Sequence, residues 1–206
     1  MNVPAPLVRV VDDDASFLTA TARMLRASGF AVKTFASAAE FLAQPELDVP
    51  GCVLADLQMP GLSGLDLQAA LAGTDSPLPV LFLTGHGDIP TTVQAMRRGA
   101  EDFLTKRAPR EQLIEAVNRA LARDALERAE RARVLSVRAR FEALTERDRQ
   151  VLQHVVQGKL NKQIADDLGI HERSVKRHRT AITAKLGVHS AAELTRLWIE
   201  VGDPAA

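Results

Sequence analysis

Five short apolar runs, each parted from the next by a helix-like stretch, fill residues 1–106 and constrain the fold more than any other feature of the chain. They read LVRVV (7–11), AVKTF (31–35), CVLAD (52–56), PVLFLT (79–84) and DFLT (102–105). Strands of this length, joined by stretches long enough for crossover helices, pair in parallel, and a parallel sheet needs helices on both faces. The expectation is an α/β unit of the (βα)5 kind, a small doubly wound parallel sheet. In such sheets the chemistry lies beyond the carboxyl ends of the strands, where the strand order reverses.

What ends each strand is therefore informative. The first run ends in Asp12, Asp13 and Asp14, the third in Asp56, the fourth in Thr84, and the fifth is followed by Lys106. Clustered carboxylates raise one another's pKa and need a cation to stay ionised. A hard ion that takes oxygen ligands, Mg²⁺ or Mn²⁺, meets that need. Asp12, Asp13 and Asp56 can supply carboxylates, and the backbone carbonyl of Gln58 can reach around. One Asp left accessible beside the metal can attack a phosphoryl group. The metal would neutralise charge on the phosphoryl oxygens, Lys106 would pair with the product, and Thr84 could donate to a phosphoryl oxygen. Plainer roles compete for the neighbours. Asp14 is placed to cap the helix ASFLTATARML, and His86 reads as a loop residue with nothing nearby to orient it as a base. Phe103 fits a core position or a moving one equally well.

From Arg110 to Ala143 the chain has no Gly or Pro and mixes both charges with Ala and Leu. After Pro109, which suits a first helical turn, this predicts a long helix running into a linker. Its apolar pattern beyond Leu126 is too irregular for a coiled coil, so the linker is expected as a solvated spacer rather than a dimerisation helix. The formal charge is zero overall but uneven. The segments 1–106, 107–143 and 144–206 carry −5, +3 and +2, so the front suits cations and the rear a polyanion.

The rear segment opens with Thr145 three residues before Asp148, an approximate capping box. KQIADDL, the turn GI and ERSVKRHRTAITAKL then predict a helix-turn-helix within four helices. At 100° per residue Val175, Ile182 and Leu186 form one stripe of the second helix, while Arg177, Thr180 and Ala184 face away, flanked by Lys176. A basic face with small residues suits a major groove.

Composition excludes other classes. No apolar run is long enough to span a bilayer, and the first residues, MNVPAPLVRVV, lack the pattern of an export signal, which predicts a cytoplasmic protein without a membrane partner. The single cysteine, Cys52, rules out an internal disulfide or a cysteine-built metal site and reads as a buried thiol.

The motifs VVDDDAS, VLADLQMPGLSG, LFLTGHGD and GAEDFLTK, in this order over residues 7 to about 123, resemble the receiver domain of bacterial two-component response regulators. The resemblance implies that Asp56 is the phospho-acceptor, that Asp12 and Asp13 hold Mg²⁺, and that Thr84 and Lys106 sense the phosphoryl group while Phe103 switches rotamer. LTERD, NKQIADDLGI, SVKRH and KLGV resemble the LuxR-type helix-turn-helix. That likeness implies double-stranded DNA as partner, with Lys176, Arg177 and Thr180 near bases and Lys162, Arg173, Arg179 and Lys185 toward phosphates. It departs from the pattern at His171, where a Ser or Thr would cap the helix. His178 is expected to pack against the scaffold or a phosphate.

Together the halves resemble a response regulator of the FixJ/NarL type, with a receiver at 1–123, a helical linker at 124–142 and a DNA-binding domain at 143–206. The implied function is transcriptional control rather than enzymatic turnover. A sensor histidine kinase phosphorylates Asp56, and a homodimer formed through the fourth and fifth helices and the fifth strand binds a promoter. Two alternatives remain at this point. One is a DNA-binding regulator whose receiver is controlled without phosphorylation; the other is a Mg²⁺-dependent phosphohydrolase, which leaves the basic rear helix without a role.

The stretch FLTKRAP separates them in part. Receivers of this kind commonly follow the lysine with a proline whose bond is cis, and here Arg107 stands in that place. A cis bond before a residue other than proline costs roughly 3–4 kcal/mol, against about 0.5–1 before proline. The expectation is a trans bond, a remodelled loop with little to pack at Ala108, and a less firmly placed Lys106.

Overall fold

The computed structural model describes residues 5–44, 46–74, 78–85 and 89–201. They fall into two compact units that divide after Arg128. The first contains β1 (Leu7–Val11), α1 (Ala15–Ala27), β2 (Ala31–Phe35), α2 (Ala38–Ala43), β3 (Gly51–Asp56), α3 (Gly64–Ala72), β4 (Val80–Thr84), α4 (Ile89–Arg97) and β5 (Asp102–Thr105). It also holds the first part of α5 (Arg110–Glu142). The five strands pair in parallel in the order β2-β1-β3-β4-β5, so the order reverses at β1.

Side-chain alternation along the strands builds two cores. Val8, Val10, Cys52, Leu54, Leu81 and Leu83 face Leu25 of α1 and Leu113, Ala116, Val117 and Ala120 of α5. Val11, Val53, Ala55, Val80 and Phe82 face Phe41, Leu67, Leu71 and Ala95, from α2, α3 and α4. The central strands β3 and β4 are buried along their whole length, which is why they read as unbroken apolar runs. Burial pushes the Cys52 thiol up to about 12, so it remains a protonated core side chain.

The lower edge of this sheet holds polar groups that the apolar pattern did not signal. Arg9, in the middle of β1, is fully buried. Its guanidinium donates to the carbonyls of Leu7, Glu46 and Val49 at 3.2, 2.6 and 3.0 Å. Asp124 of α5 is also buried, accepting from the Gly51 amide at 2.8 Å and, with both carboxylate oxygens, from Arg128 Nε. Arg128 in turn donates to Leu47 O at 2.7 Å. Two arginines thus satisfy carbonyls of the α2–β3 loop that would otherwise be orphaned. A Cβ on Gly51 would lie 1.9 Å from Leu7 O, so only glycine fits there.

The second unit contains the end of α5, then α6 (Glu146–Val156), α7 (Asn161–Leu168), α8 (Glu172–Leu186) and α9 (Ala191–Val201). Its core joins Val137, Phe141 and Leu144 to Val151, Leu152, Ile164, Val175, Ile182, Leu186 and Leu194. Phe141 meets Trp198 edge to face at 5.9 Å. The linker expected as a solvated spacer is exposed along most of its length, but a few residues anchor each end of it. Asp124 and Arg128 belong to the first unit, and Val137 and Phe141, one helical turn apart, are buried in the second together with Leu144 just past the end of α5. Among the described residues no helix is long and apolar enough to cross a membrane.

Candidate functional site

The first site lies at the carboxyl edge of β1, β3, β4 and β5. Asp12 directly follows the buried Val11 and is itself only 2% exposed. Its amide donates to Phe35 O at 3.1 Å, and its Oδ1 accepts from the Asp14 amide at 2.9 Å, which fixes the carboxylate plane. Asp56, the last residue of β3, is 7% exposed, and Asp13 is open to solvent. Carboxylate oxygens of all three lie within 4.8 Å of one another. Gly64 makes this edge compact, since a Cβ there would sit 2.3 Å from Asp56 O.

Lys106 supplies the balancing charge. Its Nζ lies 2.7 Å from Asp12 Oδ2 and 2.9 Å from Asp56 Oδ2. Burial works against the Lys106 charge, but the hydrogen bonds to Asp12 and Asp56 outweigh it and raise its pKa. Burial likewise raises the Asp12 carboxyl, with Lys106 opposing. Thr84 is buried at the end of β4, and its carbonyl accepts from the Lys106 amide at 2.8 Å. Asp14 takes no part in the acidic cluster: its carboxylate caps α1, accepting from the amides of Ser16 and Phe17. Gln58 presents its amide toward Asp56 Oδ1 at a long 3.4 Å. Phe103 is half-buried and packs at the core edge, its ring 6.2 Å from that of Phe82. His86 lies outside the described residues.

The loop after β5 corrects one expectation. The Lys106–Arg107 peptide is trans, as expected, but Lys106 is not loosely placed. Its backbone extends the β4–β5 ladder by one bond, the Ala108 amide closes a turn on Thr105 O at 2.9 Å, and its ammonium is bridged by two carboxylates. The reason is electrostatic. Two partly desolvated anions hold one cation more firmly than a loop conformation does.

The second site is the outward face of α8. Val175, Ile182 and Leu186 are buried, while Arg173, Lys176, Arg177 and Thr180 are exposed and line a shallow depression with His171 and Ser174. The left-handed Gly169 (φ 63°) ends α7 and turns the chain toward α8. His171 precedes α8 without a side-chain cap. Lys162 is exposed on α7, and Arg179 is half-buried beside Lys159 and Asn161. Lys185, expected toward phosphates, is instead turned to the scaffold: its Nζ pairs with Asp148 Oδ2 at 2.8 Å. His178 Nδ1 meets the other oxygen of Asp148 at 2.8 Å.

Asp148 is the residue whose role the sequence understated. It forms the capping box of α6 with Thr145 and, while buried, also binds two residues of α8. Burial raises its pKa, but hydrogen bonds from Lys185, His178 and Thr145 overcome this and hold the carboxyl well below its usual range. The seven-residue spacing of His178 and Lys185, two turns on one face, was the available signal.

Comparison with known proteins assigns a family to each unit. Residues 8–118 match the response regulator receiver domain, and residues 142–198 match the bacterial regulatory proteins of the luxR family. The Transcriptional regulatory protein FixJ of Rhizobium meliloti is 40% identical over 195 residues, 95% of this chain and 96% of the relative. The chain belongs to the FixJ family of response regulators. The Response regulator protein TmoT of Ectopseudomonas mendocina is similarly close, 40% identical over 96% of this chain and 90% of its own length. A solved structure of the response regulator StyR matches with a TM-score of 0.86 at 42% identity, covering 96% of this chain and all of that one. As a FixJ-family member the chain is a DNA-binding transcription regulator built from a receiver and a LuxR-type helix-turn-helix, and not an enzyme.

Proposed function

We propose that Asp56 is the phospho-acceptor of this regulator, that a sensor histidine kinase is its phosphodonor, and that Mg²⁺ or Mn²⁺ supports the transfer. The observation that carries this is the cluster of Asp12, Asp13 and Asp56 carboxylates around one lysine ammonium. An all-oxygen donor set of three carboxylates suits a hard divalent ion. Asp12 and Asp13 would hold the ion with Asp56 and the Gln58 carbonyl, and the ion would screen the phosphoryl charge. An Asp56 carboxylate oxygen attacks phosphorus while the P–N bond of the kinase's phosphohistidine breaks and its imidazole leaves; Thr84 donates to the phosphoryl group, and Lys106 transfers its pairing from the carboxylate to the phosphoryl oxygens. Phe103, at the core edge, is the side chain whose rotamer follows Thr84. A phosphoryl group shifts a two-state equilibrium only through contacts that differ between the states, and these three residues supply them. The output is homodimerisation through α4, β5 and α5 coupled to promoter binding, in the cytoplasm. The domain limits 1–123, 124–142 and 143–206 divide these tasks.

In the second unit Lys176, Arg177 and Thr180 read bases in double-stranded DNA, and Lys162, Arg173 and Arg179 meet phosphates. The pairing of Lys185 with Asp148 removes it from that set. Arg177→Ala is expected to weaken binding to the preferred operator by about 1–3 kcal/mol and to relax base preference at one position. Lys162→Ala is expected to weaken all sequences alike and to lower the salt dependence by roughly 0.9 in slope. Fluorescence anisotropy over a salt series with specific and random duplexes checks both. Equal slopes for Lys162→Ala and wild type would remove that residue from the phosphate set.

The deciding experiment for the whole reading is a phosphate-affinity gel with acetyl phosphate and Mg²⁺, run on wild type and Asp56→Asn, followed by DNA binding of each form. A shifted band for wild type alone, with tighter DNA binding, is the expected result. A shift in both chains would move the acceptor elsewhere.

A further inference from the structure

Two carboxylates hold the Lys106 ammonium on one side, and the ring of Phe17 faces it on another, with its centroid 4.6 Å from Nζ. Phe17 stands in the first turn of α1, where Asp14 fixes its amide at 3.0 Å and its half-buried side chain packs against the core between the sheet, α1 and α5. The loop that carries Lys106 offers no comparable support. Arg107 is exposed, Ala108 contributes only a methyl group, and Phe17, Thr105, Lys106, Ala108, Arg110 and Leu113 line one open cleft. The aromatic surface beside the lysine therefore comes from α1.

We propose that Phe17 is a positioning residue of the acceptor site, which acts through Lys106 by holding the ammonium where it meets a phosphoryl group on Asp56. The inference rests on the reading of Asp56 and Lys106 given above. Phosphorylation of Asp56 converts one of the lysine's two carboxylate partners into an acyl phosphate. The ring is unchanged by that chemistry and keeps its place, because α1 is anchored by Asp14 and the core. An ammonium over the face of a phenyl ring, within about 6 Å of its centroid, gains an attraction worth a factor of roughly 2–5 when partly exposed. A leucine of similar bulk fills the cleft but has no quadrupole, and a tyrosine retains one.

The test uses the full chain as wild type, Phe17→Leu, Phe17→Tyr, Lys106→Ala and the Phe17→Leu/Lys106→Ala double variant. Two quantities are read: the rate at which acetyl phosphate with Mg²⁺ phosphorylates Asp56, and the ring-current shift of the Lys106 Cε protons by NMR. Phe17→Leu is expected to slow phosphorylation by roughly 2–5-fold, to abolish the ring-current shift, and to have no further effect once Lys106 is alanine. Phe17→Tyr is expected to keep both rate and shift. An equal slowing by Phe17→Leu with and without Lys106 overturns the proposal, because the ring would then act by packing alone; so does a wild type without the shift. A wild type that takes up no phosphoryl group at Asp56 overturns the acceptor assignment, and the proposal that rests on it, while the NMR shift still reports whether ring and ammonium meet.

Discussion

Asp56→Asn is expected to abolish phosphodonor-dependent dimerisation completely while leaving the first unit folded. The amide has nearly the same shape as the carboxylate but no anionic oxygen to attack phosphorus, so no phosphoryl bond forms at any donor concentration. Folding is little affected because two changes oppose each other. Lys106 loses one of its two partners, at 2.9 Å, but keeps Asp12 at 2.7 Å. At the same time one of three mutually repelling carboxylates becomes neutral, which relieves the cluster. The net change in stability is expected to stay within about 1 kcal/mol, a shift of a few degrees in melting temperature. Light scattering with acetyl phosphate and Mg²⁺ reads the first effect, and circular dichroism the second. A variant that still dimerises in response to donor would show that Asp56 is not the acceptor. One that unfolds would show that the carboxylate is needed for structure.

The second large effect concerns Asp148. Removing one partner of a buried ion pair costs about 3–5 kcal/mol when both charges are fully desolvated. Lys185 retains roughly a third of its exposure, so Asp148→Ala is expected to cost less, on the order of 2–3 kcal/mol. Part of that loss is the capping box with Thr145, worth about 1 kcal/mol. DNA binding is expected to fall as well, because His178 and Lys185 lie two turns apart on α8 and together hold the helix against α6. The chain's single tryptophan, Trp198, packs on Phe141 in the same unit, so its fluorescence reports unfolding of this unit selectively.

The pH dependence has a definite sign. The Asp148 carboxyl titrates lower when folded than when unfolded, so its stabilisation is fully present above the unfolded value of about 4. It is lost progressively as the pH falls from there through the lower folded value. The Trp198 transition in wild type is therefore expected to weaken steeply below about pH 4, and Asp148→Asn is expected to flatten that part of the curve. Parallel curves for the two chains would mean that the carboxylate is not stabilised in the fold.

Most of the scaffold was legible because its signals are local. The short apolar runs of β1, β3 and β4 follow from burial on both faces of a parallel sheet, and the stripe Val175, Ile182, Leu186 follows from the helical repeat. The acidic cluster was legible for a related reason: a parallel sheet brings all its carboxyl edges to one side, so strand-end residues converge whatever lies between them. The misreadings share a cause as well. Lys185 was expected toward phosphates and the linker that begins at Asp124 as a solvated spacer, yet Lys185, Asp124 and Arg128 are each partnered by an element distant in the chain. Arg9 is an arginine in a strand, and two of its carbonyl partners come from a loop 37 to 40 residues away.

The placement of Lys106 shows where the two kinds of information part. The sequence by itself determined the sheet, the helix-turn-helix and the set of residues gathered at the strand ends, because backbone periodicity and parallel topology need only short-range pattern. It also determined that the Lys106–Arg107 peptide is trans, since the cis form is too costly before arginine. Only the tertiary structure decided how firmly the lysine is held. That depends on Coulomb attraction and ring contact with Asp12, Asp56 and Phe17, and these act over a few ångströms between segments the chain alone keeps 50 or more residues from it.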